Sequence, residues 1–270
     1  MNEKKLRLGL VGKDVSKSES ERIHCFILSQ LNVACEYENF SISKAEFDNT
    51  IRCLLGDFDG FNITIPYKRD VMEYLDDIQG DAVEFSAVNT VVSGRKTGYN
   101  TDGVGFLQML SQAGVQIQGK TVLVLGGGGS GRSSAKALQN AGAEVFLYQR
   151  NQEKLRQTCQ ELRLKAATSA QVEEGGFDIV VNCTGVGMHD TEGQSPVPAT
   201  TFNGAEWAID LIYTPKVSEF LRQATQKQVK TLNGESMLFY QAYYSDCIFL
   251  NIQPDGKQAA LVYEKYLLQK

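Results

Sequence analysis

Apolar runs of strand length alternate with stretches of helical apolar spacing along nearly the whole chain. Leu6 to Val11 predicts a strand, and residues 20–31 predict a helix with Ile23, Phe26, Ile27 and Leu31 on one face. A strand at 34–40 is followed by a helix at 43–55, opened by Ser43 with Glu46 three residues on, the pattern of a capping box. Residues 59–65 predict a strand stopped by Pro66, residues 67–74 a helix, and 87–92 with 95–99 a hairpin around Ser93-Gly94. No glycine-rich phosphate loop follows any of these strands. A second β-α series then begins, with a helix at 102–113 ended by Gly114, a strand at 121–125, a helix at 131–141, a strand at 144–148 and a helix at 151–162. Strands at 178–181 and 207–212 follow, Pro215 predicts a further helix start, and the chain ends in helices at 234–250 and 254–268. Strands alternating with helices imply an α/β fold.

Composition narrows the class. A length of 270 residues allows one large domain or two ordinary ones. With 42% hydrophobic and 22% charged residues, the chain fits a globular protein and excludes disordered, collagen-like and coiled-coil classes. The net charge of -5 argues against sequence-independent nucleic-acid binding, while leaving room for a local anion site. No apolar run reaches the length of a membrane span, and the charged residues 1–5 lead into a core strand rather than a signal peptide.

The two histidines, His24 and His189, cannot make a three-histidine metal site, and no metal is expected. Proton chemistry near neutral pH therefore falls to Lys, Asp or Tyr. His24 reads as a packed residue of an amphipathic helix, and His189 as solvent-facing in a polar loop. The six cysteines form no C-x-x-C pair, which excludes zinc-ribbon and thioredoxin-like readings. They read as free thiols in a reducing cytoplasm.

Gly126, Gly128 and Gly131 spell G-x-G-x-x-G between a buried strand run and a helical pattern, the setting a dinucleotide loop requires. Gly126 permits the tight turn, Gly128 lets backbone approach a pyrophosphate, and Gly131 lets the helix pack on the strand. Free N–H groups at the helix start face the anion. The next strand ends in Gln149-Arg150-Asn151. An NAD site places a carboxylate there for the ribose 2′-hydroxyl, whereas a guanidinium pairs with a 2′-phosphate, so Arg150 points to NADP.

Three other stretches put polar groups at strand ends, where α/β folds form ligand crevices. Asn62 and Thr64 share one strand face with Lys68 just beyond, Asn89 places an amide in a β run, and Asp102 starts a helix. Asp102 alone is also a good N-cap, and Ser18 and Ser20 read either as helix caps or as polar groups of the same site.

These residues resemble the shikimate/quinate dehydrogenase family, from about Leu8 to Tyr266. The motifs are Asn62-Ile63-Thr64-Ile65-Pro66-Tyr67-Lys68, Ala87-Val88-Asn89-Thr90, Asn100-Thr101-Asp102-Gly103, the glycine loop, the run from Val181 to Met188, Asp210-Leu211-Ile212-Tyr213-Thr214-Pro215, and Gly234-Glu235-Ser236-Met237-Leu238 with Gln241. The resemblance implies an α/β substrate domain from residues 1–102 and 236–270, with terminal helices returning to it, and a Rossmann-type NADP domain at 103–235. It implies that Ser18, Ser20, Thr64, Asn89, Tyr213 and Gln241 bind the substrate's hydroxyls and carboxylate, and that Lys68 and Asp102 form the catalytic pair. Gly126, Gly127, Gly128, Gly129 and Ser130, with Arg150 and Asn151, would hold the cofactor phosphates, and Leu211 and Gly234 would lie near the nicotinamide.

The chain departs from the family pattern at several positions. Where the family reads His-Ser-x-Ser-Pro, it has Lys17-Ser18-Glu19-Ser20-Glu21, and Glu21 adds negative charge near the expected carboxylate end. Ser86 stands for a usual glycine, and Cys25 and Gln149 for usual asparagines.

The implied activity is NADP-dependent, reversible reduction of 3-dehydroshikimate to shikimate, a step of chorismate and aromatic amino acid biosynthesis. The implied protein is cytoplasmic, a monomer or homodimer, with a small-molecule substrate and no nucleic-acid or membrane partner. Two alternatives stand beside it: a quinate or amino-shikimate-type dehydrogenase, and a non-catalytic NADP-binding sensor, which would have no reason to keep Lys68, Asp102, Asn89 and Gln241 together.

Overall fold

Two six-stranded sheets organise the chain. The computed structural model describes residues 5–270, so most of the charged start at 1–5 lies outside the described residues. The chain divides into two units, Met1–Gly105 with Phe239–Lys270, and Phe106–Leu238.

The first unit carries β1 (Leu6–Gly12), α1 (Ser20–Gln30), β2 (Cys35–Ser41), α2 (Phe47–Asp57), β3 (Gly60–Ile63), β4 (Asp77–Ile78), α3 (Asp81–Phe85), β5 (Thr90–Val92), β6 (Thr97–Tyr99) and the start of α4 (Asp102–Gln112). The strand order is β2-β1-β3-β5-β6-β4. β1 lies parallel between β2 and β3, while β5 runs antiparallel to both β3 and β6. Alternation along β1 serves two cores. Leu8 and Leu10 pack with Leu28 and Tyr37, whereas Val11 packs with Ile51, Phe61, Tyr67 and Val91.

Several boundaries differ from the sequence expectation. α2 starts at Phe47 rather than Ser43. The Glu46 carboxylate accepts from the Ser43 N–H at 2.8 Å and from its hydroxyl at 2.6 Å, so that hydroxyl donates to the carboxylate instead of capping the helix. β3 ends at Ile63 because the chain turns at once, with the Tyr67 N–H bonded to the Thr64 carbonyl at 3.0 Å. The helix expected at 67–74 is a short 3-10 segment, Asp70–Tyr74. β4 and α3 are too short to show a period.

The second unit carries β7 (Thr121–Leu125), α5 (Gly129–Asn140), β8 (Glu144–Tyr148), α6 (Gln152–Leu162), β9 (Lys165–Ala166), α7 (Ser169–Glu174), β10 (Ile179–Asn182), β11 (Trp207–Asp210), α8 (Glu219–Gln226) and β12 (Lys230–Asn233). α9 (Glu235–Leu250) begins here and continues into the first unit, where α10 (Gly256–Leu267) follows. The order β12-β11-β10-β7-β8-β9 is parallel throughout, a doubly wound sheet whose strand order reverses between β7 and β10. The inner strands β7 and β10 are buried on both faces, which is why they read as continuous apolar runs.

Pro215 does not begin a helix. α8 starts at Glu219, where the Ser218 hydroxyl caps it by accepting from the Leu221 N–H at 3.3 Å. β11 ends at Asp210, two residues early, because the Asp210 carboxylate turns to accept from the Ile212 N–H. α7 adds a helix between β9 and β10 that the apolar spacing does not predict, opened by a full capping box of Thr168 and Gln171. β9 and β12 are short polar edge strands without an apolar run to predict them.

Candidate active site

Lys68, Asn89 and Asp102 meet in the first unit. Lys68 follows the turn after β3, Asn89 precedes β5, and Asp102 opens α4. The Lys68 ammonium donates to Asp102 Oδ2 at 2.5 Å, with the two side chains 12% and 7% exposed. Asn89 Nδ2 donates to Asp102 Oδ1 at 2.9 Å, so each carboxylate oxygen has its own donor. The Val88 N–H bonds the Lys68 carbonyl at 2.8 Å, tying the two segments together. Asn100 completes the frame: its amide donates to the Ala87 carbonyl at 2.8 Å and its oxygen accepts from the Asp102 N–H at 2.9 Å. Asp102 therefore serves the ion pair, and a mostly buried ammonium held by a carboxylate can stabilise an oxyanion and exchange a proton.

Asn89 is the hub. Its Oδ1 accepts from the Thr101 N–H at 2.9 Å and the Thr90 hydroxyl at 2.8 Å. Its Nδ2 also reaches Thr101 Oγ1 at 2.9 Å and Gln241 Oε1, at 3.4 Å. Gln241 thus arrives from α9, far along the sequence. Ser18 and Ser20 sit at the start of α1, with the Ser18 hydroxyl donating to Ser20 Oγ at 2.9 Å. Neither caps the helix by an oxygen-to-N3 bond; the N-cap position is Glu19, without a side-chain cap. Asn62 is buried inward and does not share a strand face with Thr64, which lies past the end of β3 and is only half-buried. His24 is 1% exposed and bonded to Asp246, and His189 is exposed. Ser86 ends α3 in the left-handed region at φ 51°.

The glycine loop lies after β7 in the second unit. Gly126 takes φ +95°, the left-handed region that favours glycine. A Cβ on Gly131 would fall 1.9 Å from the Gly126 carbonyl oxygen, so α5 approaches the strand end only with glycine there. Gly128 has open space where its Cβ would be, leaving the start of α5 accessible to a ligand. Across the strand-order reversal, the loop after β10 closes on this turn, where a Cβ on Gly126 would meet Thr184 at 2.9 Å. That loop is held by Asn182, which accepts from the Thr184 N–H at 3.0 Å and donates to Asp210 Oδ1 at 3.0 Å. Burial pushes the Asp210 carboxyl up to about 6, with bonds from Ser218, Ile212 and Asn182 opposing the rise.

Open backbone at Gly128 and the exposed Arg150 after β8 fit a pyrophosphate and a 2′-phosphate. Asn151 accepts from the Lys154 N–H at 3.0 Å as the cap of α6, so its amide oxygen is engaged within the helix start. Leu211 and Gly234 are neighbours: a Cβ on Gly234 would lie 2.2 Å from the Leu211 carbonyl oxygen. Tyr213, 38% exposed, lies two residues beyond Leu211 in the second unit. Among the described residues, no cluster of three or more His, Cys, Asp or Glu could hold a metal ion, and no helix is long and apolar enough to cross a membrane.

Sequence reasoning did not single out Tyr37, Ser245 or Asp246. The available signal was Ser245-Asp246 itself, a polar pair within an otherwise apolar stretch of α9, both 0% exposed.

Known proteins match most of the chain. A family model described as "Shikimate dehydrogenase substrate binding domain" matches residues 10–91, and one described as "NADP oxidoreductase coenzyme F420-dependent" matches residues 121–191. The shikimate dehydrogenase (NADP(+)) of Thermus thermophilus is 34% identical over 252 residues, covering 93% of this chain and 94% of that protein. The enzyme of the same name from Methanococcus maripaludis is 34% identical over 266 residues, covering 94% and 95%. A crystal structure of Thermus thermophilus shikimate 5-dehydrogenase in complex with NADP(H) and shikimate superposes with a TM-score of 0.87 at 32% identity, covering 96% of this chain and 99% of that one.

Proposed function

The chain belongs to the shikimate dehydrogenase family, and from that premise we propose that it catalyses the NADP-dependent, reversible reduction of 3-dehydroshikimate to shikimate. The observation that carries the reading is the Lys68–Asp102 ion pair framed by Asn89. The first unit is the substrate domain and the second the NADP domain, in keeping with the family models that match within each.

Gly126 to Ser130 hold the pyrophosphate and Arg150 the 2′-phosphate, with Asn151 shaping the start of α6, and Leu211 and Gly234 border the nicotinamide. Bound NADP(H) supplies or accepts the hydride. Ser18, Ser20, Thr64, Asn89, Tyr213 and Gln241 position the substrate's carboxylate and hydroxyls. As the carbonyl carbon is reduced, negative charge grows on its oxygen. The Lys68 ammonium stabilises that charge and delivers the proton. Asp102 orients Lys68 and accepts from the substrate hydroxyl, and Asn89 keeps the carboxylate in place. The reaction is assigned to the cytoplasm, and the protein to a monomer or homodimer that takes a small-molecule substrate.

The test is the reduced-nicotinamide absorbance with shikimate plus NADP, then with quinate and with NAD. Turnover with shikimate and NADP is expected. Faster turnover with quinate would move the substrate assignment, and no change with any pair would leave a nucleotide-binding sensor.

A further inference from the structure

A buried polar assembly lies beneath Asn89, and none of the roles above uses it. Ser245, 0% exposed in α9, sits at its centre. Its hydroxyl lies 2.7 Å from Thr90 Oγ1 and 3.0 Å from Thr101 Oγ1, and it accepts from Asn62 Nδ2 at 3.2 Å. Thr90 and Thr101 are the two residues whose hydroxyls touch the Asn89 amide. One hydroxyl from the C-terminal part of the chain thus holds both threonine rotors that fix the Asn89 side chain, and Asn89 in turn holds Asp102 Oδ1 at 2.9 Å.

A second arm braces the other end. Asn62 Oδ1 accepts from the Tyr37 hydroxyl at 2.9 Å, and the Asn89 carbonyl, which can only accept, fixes the opposite end of the amide as the NH2 group. The Tyr37 ring stacks on His24, with centroids 4.7 Å apart and planes at 15°. His24 Nδ1 lies 2.6 Å from Asp246 Oδ1, and Asp246 is the residue after Ser245 on α9. Asn62 also donates to the Asn89 carbonyl at 3.1 Å. Two consecutive residues of α9 therefore reach the same amide by separate routes, one direct and one through His24 and Tyr37.

Hydroxyl rotors are free to turn unless a partner fixes them, and a satisfied buried network selects one arrangement where a partly satisfied one does not. We propose that Ser245 is a positioning residue for the reaction: by locking Thr90 and Thr101 it fixes the Asn89 amide, and through it the Asp102 carboxylate that orients Lys68. The proposal rests on the reading of Lys68, Asp102 and Asn89 as the catalytic group. Ser245 acts through Asn89 and touches no reactant.

The test uses the full-length protein and a double-mutant cycle, with kcat expressed per NADP-binding site. In Ser245→Ala the two threonine hydroxyls and the Asn62 amide lose a buried partner, and kcat/KM for shikimate is expected to fall about tenfold. The KM for NADP stays within about twofold of wild type. In an Asn89→Ala background, the Ser245 substitution is expected to change kcat/KM by less than twofold, because the group it positions is gone. A merely structural role lowers the fraction able to bind NADP, or costs the same factor in both backgrounds. Either of those results overturns the proposal, as does unchanged kcat/KM in the single variant. Wild type without turnover of shikimate and NADP would overturn the functional reading and the proposal together, whereas an active wild type with an indifferent Ser245→Ala overturns the proposal alone.

Discussion

Lys68 and Asp102 each have an ordinary sequence explanation, a surface lysine and a helix cap. The structure instead turns both into one ion pair, 2.5 Å long and nearly closed to solvent. Removing the ammonium takes away the group assigned to the proton. Lys68→Ala is therefore expected to lower kcat by ~10²–10⁴ while NADP still binds, as read by steady-state rates beside a fluorescence titration. Near-normal turnover would refute that role. Arg150 stands exposed after β8 where an NAD site carries a carboxylate. Arg150→Ala should raise the KM for NADP by about tenfold or more and leave that for NAD nearly unchanged; an unaltered preference would count against the 2′-phosphate contact. These residues were visible in the sequence because several polar stretches fall together at strand ends and match a family pattern, although each residue alone is ordinary. Ser245 and Tyr37 were not, because a serine in an apolar helix and a tyrosine in a strand fit a plain core equally well until their partners are known.

Two elements carry consequences that no single contact shows. The start of α5 rests against the end of β7 only because Gly131 has no side chain. Gly131→Ala must displace the Gly126 carbonyl, and is expected to weaken NADP binding at least tenfold and to cost about 1–3 kcal/mol of stability by urea unfolding. An unchanged dissociation constant would show that the turn can yield. At the end of β11, burial holds the Asp210 carboxyl at about 6, above its unfolded range near 4. The folded state then binds the proton more tightly, so the contribution of Asp210 to stability is greatest at low pH and falls as pH rises from about 4 through about 6. The loss from this group is about 3 kcal/mol, complete by pH 7. Asp210→Asn should abolish that decline, and the wild-type-minus-variant unfolding free energy, measured at pH 4.5 and 7.5, is the quantity that tests it. Parallel slopes would place the titration elsewhere. At this scale the buried strands of the second sheet were legible, since they read as unbroken apolar runs. The shifted starts of α2 and α8 were not, because competing side-chain bonds from Glu46 and Ser218 settled them locally.

Over the whole molecule, the first unit is assembled from both ends of the chain, with α9 bringing Gln241 and Ser245 to Asn89, Thr90 and Thr101. A chain ended after Leu238 keeps every residue of the second unit and loses both of these groups. It is expected to bind NADP with near-native affinity by calorimetry and to show no turnover of shikimate; retained turnover would mean that α9 contributes nothing essential. The sequence by itself determined the α/β class, the glycine turn, the arginine after β8 and the polar residue types that gather at the strand ends. Each of these is a local property, written in apolar period, in backbone freedom at glycine or in the charge of one side chain. Only the tertiary structure decided which polar groups meet. Asn89 draws its partners from β5, the start of α4 and α9, up to 152 residues apart in sequence, and the amides of Asn62 and Asn89 are oriented by hydrogen bonds that exist only once those segments are packed together.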